Sequence, residues 1–144
     1  MAMVDPLLEP PINDAAGVAT VGEGTGTRRS RLVLAGFLCL MGVLHFVMPK
    51  PFDKIIPTWV PGAPRFWTLL SGASELTSGV LLALPRTKRI GASLAAATLV
   101  AVYPANIQMA IDNPPTTAFG IGMLLRLPLQ FLAIAWALKH AKKR

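Results

Sequence analysis

The stretch LVLAGFLCLMGVLHFVM, residues 32–48, is apolar throughout except for His45 near its end. Coiled as a helix at about 1.5 Å per residue, it just crosses a hydrocarbon core of about 30 Å. Three more stretches share that character. Residues 66–84 carry a single charge, Glu75. Residues 90–111 carry none before Asp112, and residues 119–138 are interrupted only by Arg126 and Gln130. The sequence therefore predicts an all-α protein, an integral membrane four-helix bundle with short connections.

Composition agrees with a bilayer as solvent. The 144 residues are 53% hydrophobic and only 15% charged, with a mean hydropathy of +0.53. Soluble domains average about a quarter charged residues. A chain this short forms one compact unit, which excludes a multidomain enzyme. Its one cysteine, Cys39, excludes an internal disulfide or a dithiol redox pair.

The net charge of +7 would suggest nucleic acid in a soluble protein, but the placement of the basic residues favours a topology signal, and no nucleic-acid partner is expected. Arg28, Arg29, Arg31, Arg86, Lys88, Arg89, Lys139, Lys142, Lys143 and Arg144 flank one end of the four stretches. Lys50, Lys54 and Arg65 flank the other. Basic flanks face the cytoplasm, so both termini are expected there, in a multi-pass protein of the cytoplasmic membrane. Residues 1–30 hold Pro6, Pro10, Pro11, four acids and a Gly-rich run at 22–26. They read as an uncleaved disordered cytoplasmic tail. Residues 31–140 form the membrane domain, and 141–144 a basic cytoplasmic C-terminus.

In the first outer loop Pro51 suits a first helical turn. Phe52, Ile55, Ile56 and Trp59 then recur at i, i+3, i+4 and i+7, one side of a short helix lying in the interface, with Asp53 and Lys54 toward water. An irregular Pro-rich loop is the alternative.

An ionisable group inside a span costs on the order of 2.5 to 3.5 kcal/mol by insertion scales, so Glu75 and Arg126 should face the bundle and find partners. By helical rise both lie roughly 10 to 14 Å below the outer surface, His45 about 5 Å and Tyr103, Asn106 and Gln108 about 5 to 12 Å. All four spans thus deliver polar atoms to the outer half, while the inner half holds Ala, Leu, Gly and Val. Ser71, Glu75 and Ser78 share a stripe with Gly72 and Gly79, and Gly122, Arg126, Gln130 and Ala133 share another. Pro104 and Pro128 release the carbonyls of Val100 and Leu124, which need donors within the bundle. The polar set is either a structural clasp built on a Glu75–Arg126 pair or the lining of a small outward-opening cavity for a polar head group such as a quinone carbonyl. His45 and His140 lie at opposite ends and cannot share a haem iron. His45 with Glu75 lacks the further ligand a metal needs, and no metal site is expected.

Five separated motifs, at 42–46, 52–57, 71–76, 103–107 and 126–130, resemble in order and spacing the DoxX family of small bacterial four-span membrane proteins. The resemblance runs from about residue 32 to 138. It implies a four-helix membrane bundle in the bacterial inner membrane, some of whose relatives accompany thiosulfate:quinone oxidoreductase subunits or soluble redox enzymes, or assist assembly. It marks His45, Glu75, Asn106 and Arg126; depth adds Tyr103, and the stripe shared with Arg126 adds Gln130. Two functions follow as expectations. One is a non-enzymatic anchor or assembly partner for membrane or peripheral redox proteins. The other is a quinone-binding subunit of a membrane oxidoreductase of the sulfur or thiosulfate type. A self-sufficient catalyst is not expected, and no cofactor is firmly implied; a quinone is the candidate.

Overall fold

The computed structural model describes residues 24–142, so residues 1–23 of the tail assigned to 1–30, and the last two basic residues, lie outside it. Among the described residues every regular element is helical. In chain order these are α1 (Thr25–Val47), α2 (Pro49–Asp53), α3 (Pro64–Ala83), α4 (Lys88–Ala101), α5 (Tyr103–Asp112) and α6 (Ala118–Ala141). Three segments are long and apolar enough to cross a membrane: Thr25–Val47, Lys88–Asp112 and Ala118–Ala141. They mark a membrane protein. α3 has the length, at 20 residues, but its apolar character is diluted by Glu75 and several hydroxyl side chains.

α1 lies against α3, α3 against α4, and α4 against α6, so neighbours in sequence are neighbours in space, while α5 leans on α6. The apolar core occupies the half of the bundle near the chain ends. Leu34, Ala35 and Leu38 of α1 meet Leu82 of α3, Ala92, Ala95, Ala96 and Leu99 of α4 and Ala137 of α6. The α1–α3 seam needs glycine. A Cβ on Gly42 would stand 2.7 Å from the Leu76 amide nitrogen and 2.8 Å from the Gly72 carbonyl. Small residues are what permit helices to approach this closely in lipid.

Four expectations are corrected. First, the helix begins at Thr25, so residues 25–30 belong to α1 and not to a tail. Arg31, expected as a solvated flank, is only 1% exposed and donates to the carbonyls of Leu82 and Ala83. It caps the end of α3, where a helix has carbonyls with no partner of their own. Second, this end of the bundle is not purely apolar. Trp136 Nε1 donates to Ser30 Oγ at 2.7 Å, and His140 Nε2 lies 3.4 Å from the same hydroxyl. Third, the third span breaks at Val102 into α4 and α5. Pro104, in the first turn of α5, has no amide hydrogen with which to continue α4. α6 instead runs unbroken through Pro128.

Fourth, the interfacial helix is five residues long, Pro49–Asp53, and residues 54–60 are turns and bends. Pro57, which disfavours helix in the residue before it, ends the amphipathic run early. Phe52, Ile55, Ile56 and Trp59 therefore do not share one helical face. The first three fold down over the bundle, while Trp59 stays 71% exposed.

Candidate functional site

The site lies at the bundle end that carries the 48–63 connection, below the apolar core in chain-end terms and opposite Ser30 and His140. The stripe of α1 that buries Leu34, Leu38 and Gly42 continues to His45, and the stripe of α3 that buries Gly72 also buries Thr68 and Glu75. The close α1–α3 seam thus sets His45 beside Glu75. α5 adds Asn106 and Met109, α6 adds Arg126, and Phe52, Ile55 and Ile56 close the top. Together they enclose a cavity of about 40 Å³.

His45 Nδ1 donates to the Met41 carbonyl at 2.8 Å. A carbonyl only accepts, so this bond fixes a hydrogen on Nδ1. The same nitrogen is 3.3 Å from Glu75 Oε2, but Oε2 is buried without a hydrogen bond of acceptable geometry. The contact is therefore close in charge and poor in direction. Phe52 stacks on the imidazole with ring centroids 3.8 Å apart, so the connection from α1 to α3 grips the site from above.

Arg126 lines the same cavity and acts electrostatically on both His45 and Glu75. Among the described residues, the ion pair within 4.0 Å made by Glu75 is with His45, and none joins it to Arg126. The two charges expected to neutralise each other by contact share a cavity instead.

Asn106, at the edge of the cavity, is tied to Gln130 behind it. Asn106 Nδ2 donates to Gln130 Oε1 at 2.8 Å, and Gln130 Nε2 donates to the Leu99 carbonyl at 2.6 Å. The donor reaches Leu99 and not Val100, the carbonyl that Pro104 was expected to free; the Val102 amide turns toward Val100 instead. Tyr103 does not join the site. Its ring lies against Phe131 with centroids 5.2 Å apart. Gly122 does not line the α6 stripe either, since a Cβ there would meet nothing within 4 Å.

Two features were missed in the sequence. Thr68 is buried at 1% exposure, two turns before Glu75 on the same stripe, and its Oγ1 lacks a hydrogen-bond partner. The i, i+7 spacing from Glu75 was the available signal. The second feature is a groove of about 510 Å³ on the adjoining face of α3. Leu70 and Ser74 of α3 face Leu94, Ala97, Thr98 and Ala101 of α4 across it, and Ile56, Trp59 and Trp67 roof it. The groove and the small polar cavity share Ile56, Ser71, Val102 and Ala105 as a common wall. Across the groove floor the hydroxyls of Ser74 and Thr98 are hydrogen-bonded.

Outside the spans, Arg65 clamps the connection. Its Nε and Nη2 reach Asp53 Oδ2 at 2.9 and 2.8 Å. This guanidinium holds the Asp53 carboxyl below the usual aspartate value. Trp67 Nε1 donates to the Pro61 carbonyl at 2.7 Å, a second tie between α3 and the connection. Among the described residues no group of three or more His, Cys, Asp and Glu side chains gathers to hold a metal ion.

Comparison with known proteins corrects the resemblance drawn from short motifs. The family whose model matches is described as Domain of unknown function (DUF8561), over residues 34–141. DoxX is not matched. No curated protein and no solved structure matches the chain. The motifs were persuasive because lipid imposes similar demands on unrelated bundles. Small residues form seams, prolines break helices, and buried amides satisfy freed carbonyls. Gly72, Pro104 and Gln130 each answer one of those demands here. The bacterial origin and the thiosulfate relatives entered with DoxX and are withdrawn with it. The match spans most of the sequence, including every helix of the site, and the chain belongs to the family described as Domain of unknown function (DUF8561).

Proposed function

We propose that this chain is a non-catalytic binding protein of the cytoplasmic membrane, crossing it four times with both termini in the cytoplasm, and that its α3–α4 groove holds an amphiphile with a carbonyl head, of which a quinone is the type. α3 serves as the fourth crossing. Its 20 residues rise about 30 Å, it lies between α1 and α4 along their length, and Arg31 ties its end to the start of α1. The orientation rests on the bias of Lys and Arg toward the chain ends.

The observation that carries the binding reading is the pairing of two cavities across one wall. A groove of about 510 Å³ is within the range of small-molecule sites, about 300 to 1,000 Å³. Its lining is aliphatic and aromatic, with Ser71 and Ser74 as hydroxyl contacts. The polar cavity, at about 40 Å³, is too small for a quinone ring. The apolar body therefore belongs in the groove, and His45, Glu75 and Arg126 act on a head group through the Ser71 wall. A satisfied structural clasp is the weaker explanation of the cluster, because Glu75 Oε2 has no hydrogen bond and its ion pair within 4.0 Å is with His45, not Arg126. Bound quinone would supply two-electron carbonyl chemistry, and the protein's part is to hold and orient it.

Trp59 and Trp67 line the groove while Trp136 lies near the chain ends, so the site carries its own probe. A short-chain ubiquinone analogue added to the protein in nanodiscs is expected to quench tryptophan emission saturably. Ala97→Phe, which fills the groove, should abolish the saturable part. Quenching that only tracks partition of the quinone into lipid, unchanged in the variant, overturns the reading. An anchoring role is the second reading. It is favoured by α6, of whose most apolar window only 11% is buried, and crosslinking in the native membrane tests it.

A further inference from the structure

Three buried oxygen atoms lack a hydrogen-bond partner among the described residues: Asp53 Oδ1, Thr68 Oγ1 and Glu75 Oε2. They are not scattered. Asp53 sits at the end of α2, its other carboxylate oxygen held by Arg65. The Thr68 hydroxyl stands against that carboxylate and helps lower its pKa, without reaching hydrogen-bond geometry. Thr68 and Glu75 both line the cavity of about 40 Å³. The order from the surface inward is Asp53, Thr68, cavity, Glu75.

A buried oxygen without a partner is destabilising, and three in a row is a pattern that calls for a common occupant. A cavity needs about 10 to 15 Å³ of this measure to hold one water, and the water needs two to four polar partners. The cavity meets the first condition with room for a second or third molecule. Thr68 Oγ1, Glu75 Oε2 and Arg126 meet the second. We propose that ordered water fills this cavity and joins Asp53 at the surface to Glu75 in the bundle, forming a path by which Glu75 exchanges protons with the solution beyond the 48–63 connection.

In the transfer an O–H bond breaks on the water nearest Glu75 and forms on Oε2, and that water regains a hydrogen from the next one outward. The last hydrogen comes from a hydronium ion at the surface. The carboxylate becomes a carboxylic acid, one proton leaves the solution, and the charge of the cavity rises by one. No oxidant or reductant takes part. The groups that face Glu75 are His45 from α1, Thr68 from its own helix, Asn106 from α5 and Arg126 from α6, with Asp53 and Arg65 above. Thr68 and Ser71 both bring hydroxyls to the cavity, but it is Thr68 Oγ1 that is buried without a partner and stands against Asp53, so Thr68 is a positioning residue for the water. The path needs no ligand in the α3–α4 groove, so it stands or falls separately from quinone binding.

Thr68→Val removes the hydroxyl at nearly constant volume and separates the alternatives. If the cavity is dry, the substitution deletes an unpaired polar group and raises the melting temperature. If water bridges the hydroxyl, the melting temperature falls. The second measurement is the infrared carbonyl band of protonated Glu75, assigned by its loss in Glu75→Gln and followed after a jump from H₂O to D₂O in nanodiscs. Exchange in the unmodified chain is expected to be fast, to slow severalfold in Thr68→Val and to recover in Thr68→Ser. A Thr68→Val protein that is more stable, or that exchanges at the original rate, overturns the proposal. So does a Glu75 band that never exchanges.

Discussion

At the scale of single residues, two amides show how strictly a membrane interior demands partners. Gln130 satisfies both Asn106 and the Leu99 carbonyl, which lies beside the break between α4 and α5. Gln130→Leu leaves that amide and that carbonyl unpaired, at about 1 to 3 kcal/mol for each buried group. Unfolding in mixed detergent should show a loss of that order. The nearby Tyr103→Phe, whose ring lies against Phe131, should show little change. His45 and Glu75 follow a different rule. They touch at 3.3 Å without the directional bond that would make the pair self-sufficient.

At the scale of elements, the α1–α3 seam decides the site. His45 is set by the register in which Gly42 meets Gly72 and Leu76, and a Cβ on Gly72 would stand 2.6 Å from that of His45. Gly42→Ala drives a methyl group into backbone atoms of α3 and should cost about 1 to 3 kcal/mol. It should also change the His45–Glu75 separation, readable as a shift of the imidazole resonances. Gly122→Ala is the matched control. Nothing lies within 4 Å of its Cβ position, and on an exposed helix Ala is favoured over Gly by about 0.5 to 1 kcal/mol. It should leave the protein as stable or more so.

At the scale of the whole molecule, the ends and the connection face opposite ways. Ser30, Arg31, Trp136 and His140 gather at one end, while Asp53, Arg65 and Trp67 gather at the other. In a Cys39→Ala background, Val60→Cys should react with a membrane-impermeant maleimide in intact cells, and Lys142→Cys only after the cells are opened. Equal labelling of both before opening would mean that α3 does not cross.

The helical class, the apolar stretches and the segregation of basic residues were legible because lipid enforces them locally. A span must be long enough and apolar enough whatever it touches, and each of those properties is a sum over neighbours in sequence. Helix stripes likewise put Glu75 on a face with Gly72, and depth along the chain brought His45, Asn106 and Arg126 toward one level. What the stripes could not give was partner choice. Whether Glu75 meets Arg126 or His45 depends on a seam fixed by contacts between helices, and Arg31 looked like a solvated flank until α3 was seen to end against it. Turns after Asp53 decided that Phe52 would cover His45 instead of lying along an interface. The groove between α3 and α4 and the alignment of Asp53, Thr68 and Glu75 are spaces and distances between elements, and only packing in three dimensions creates them.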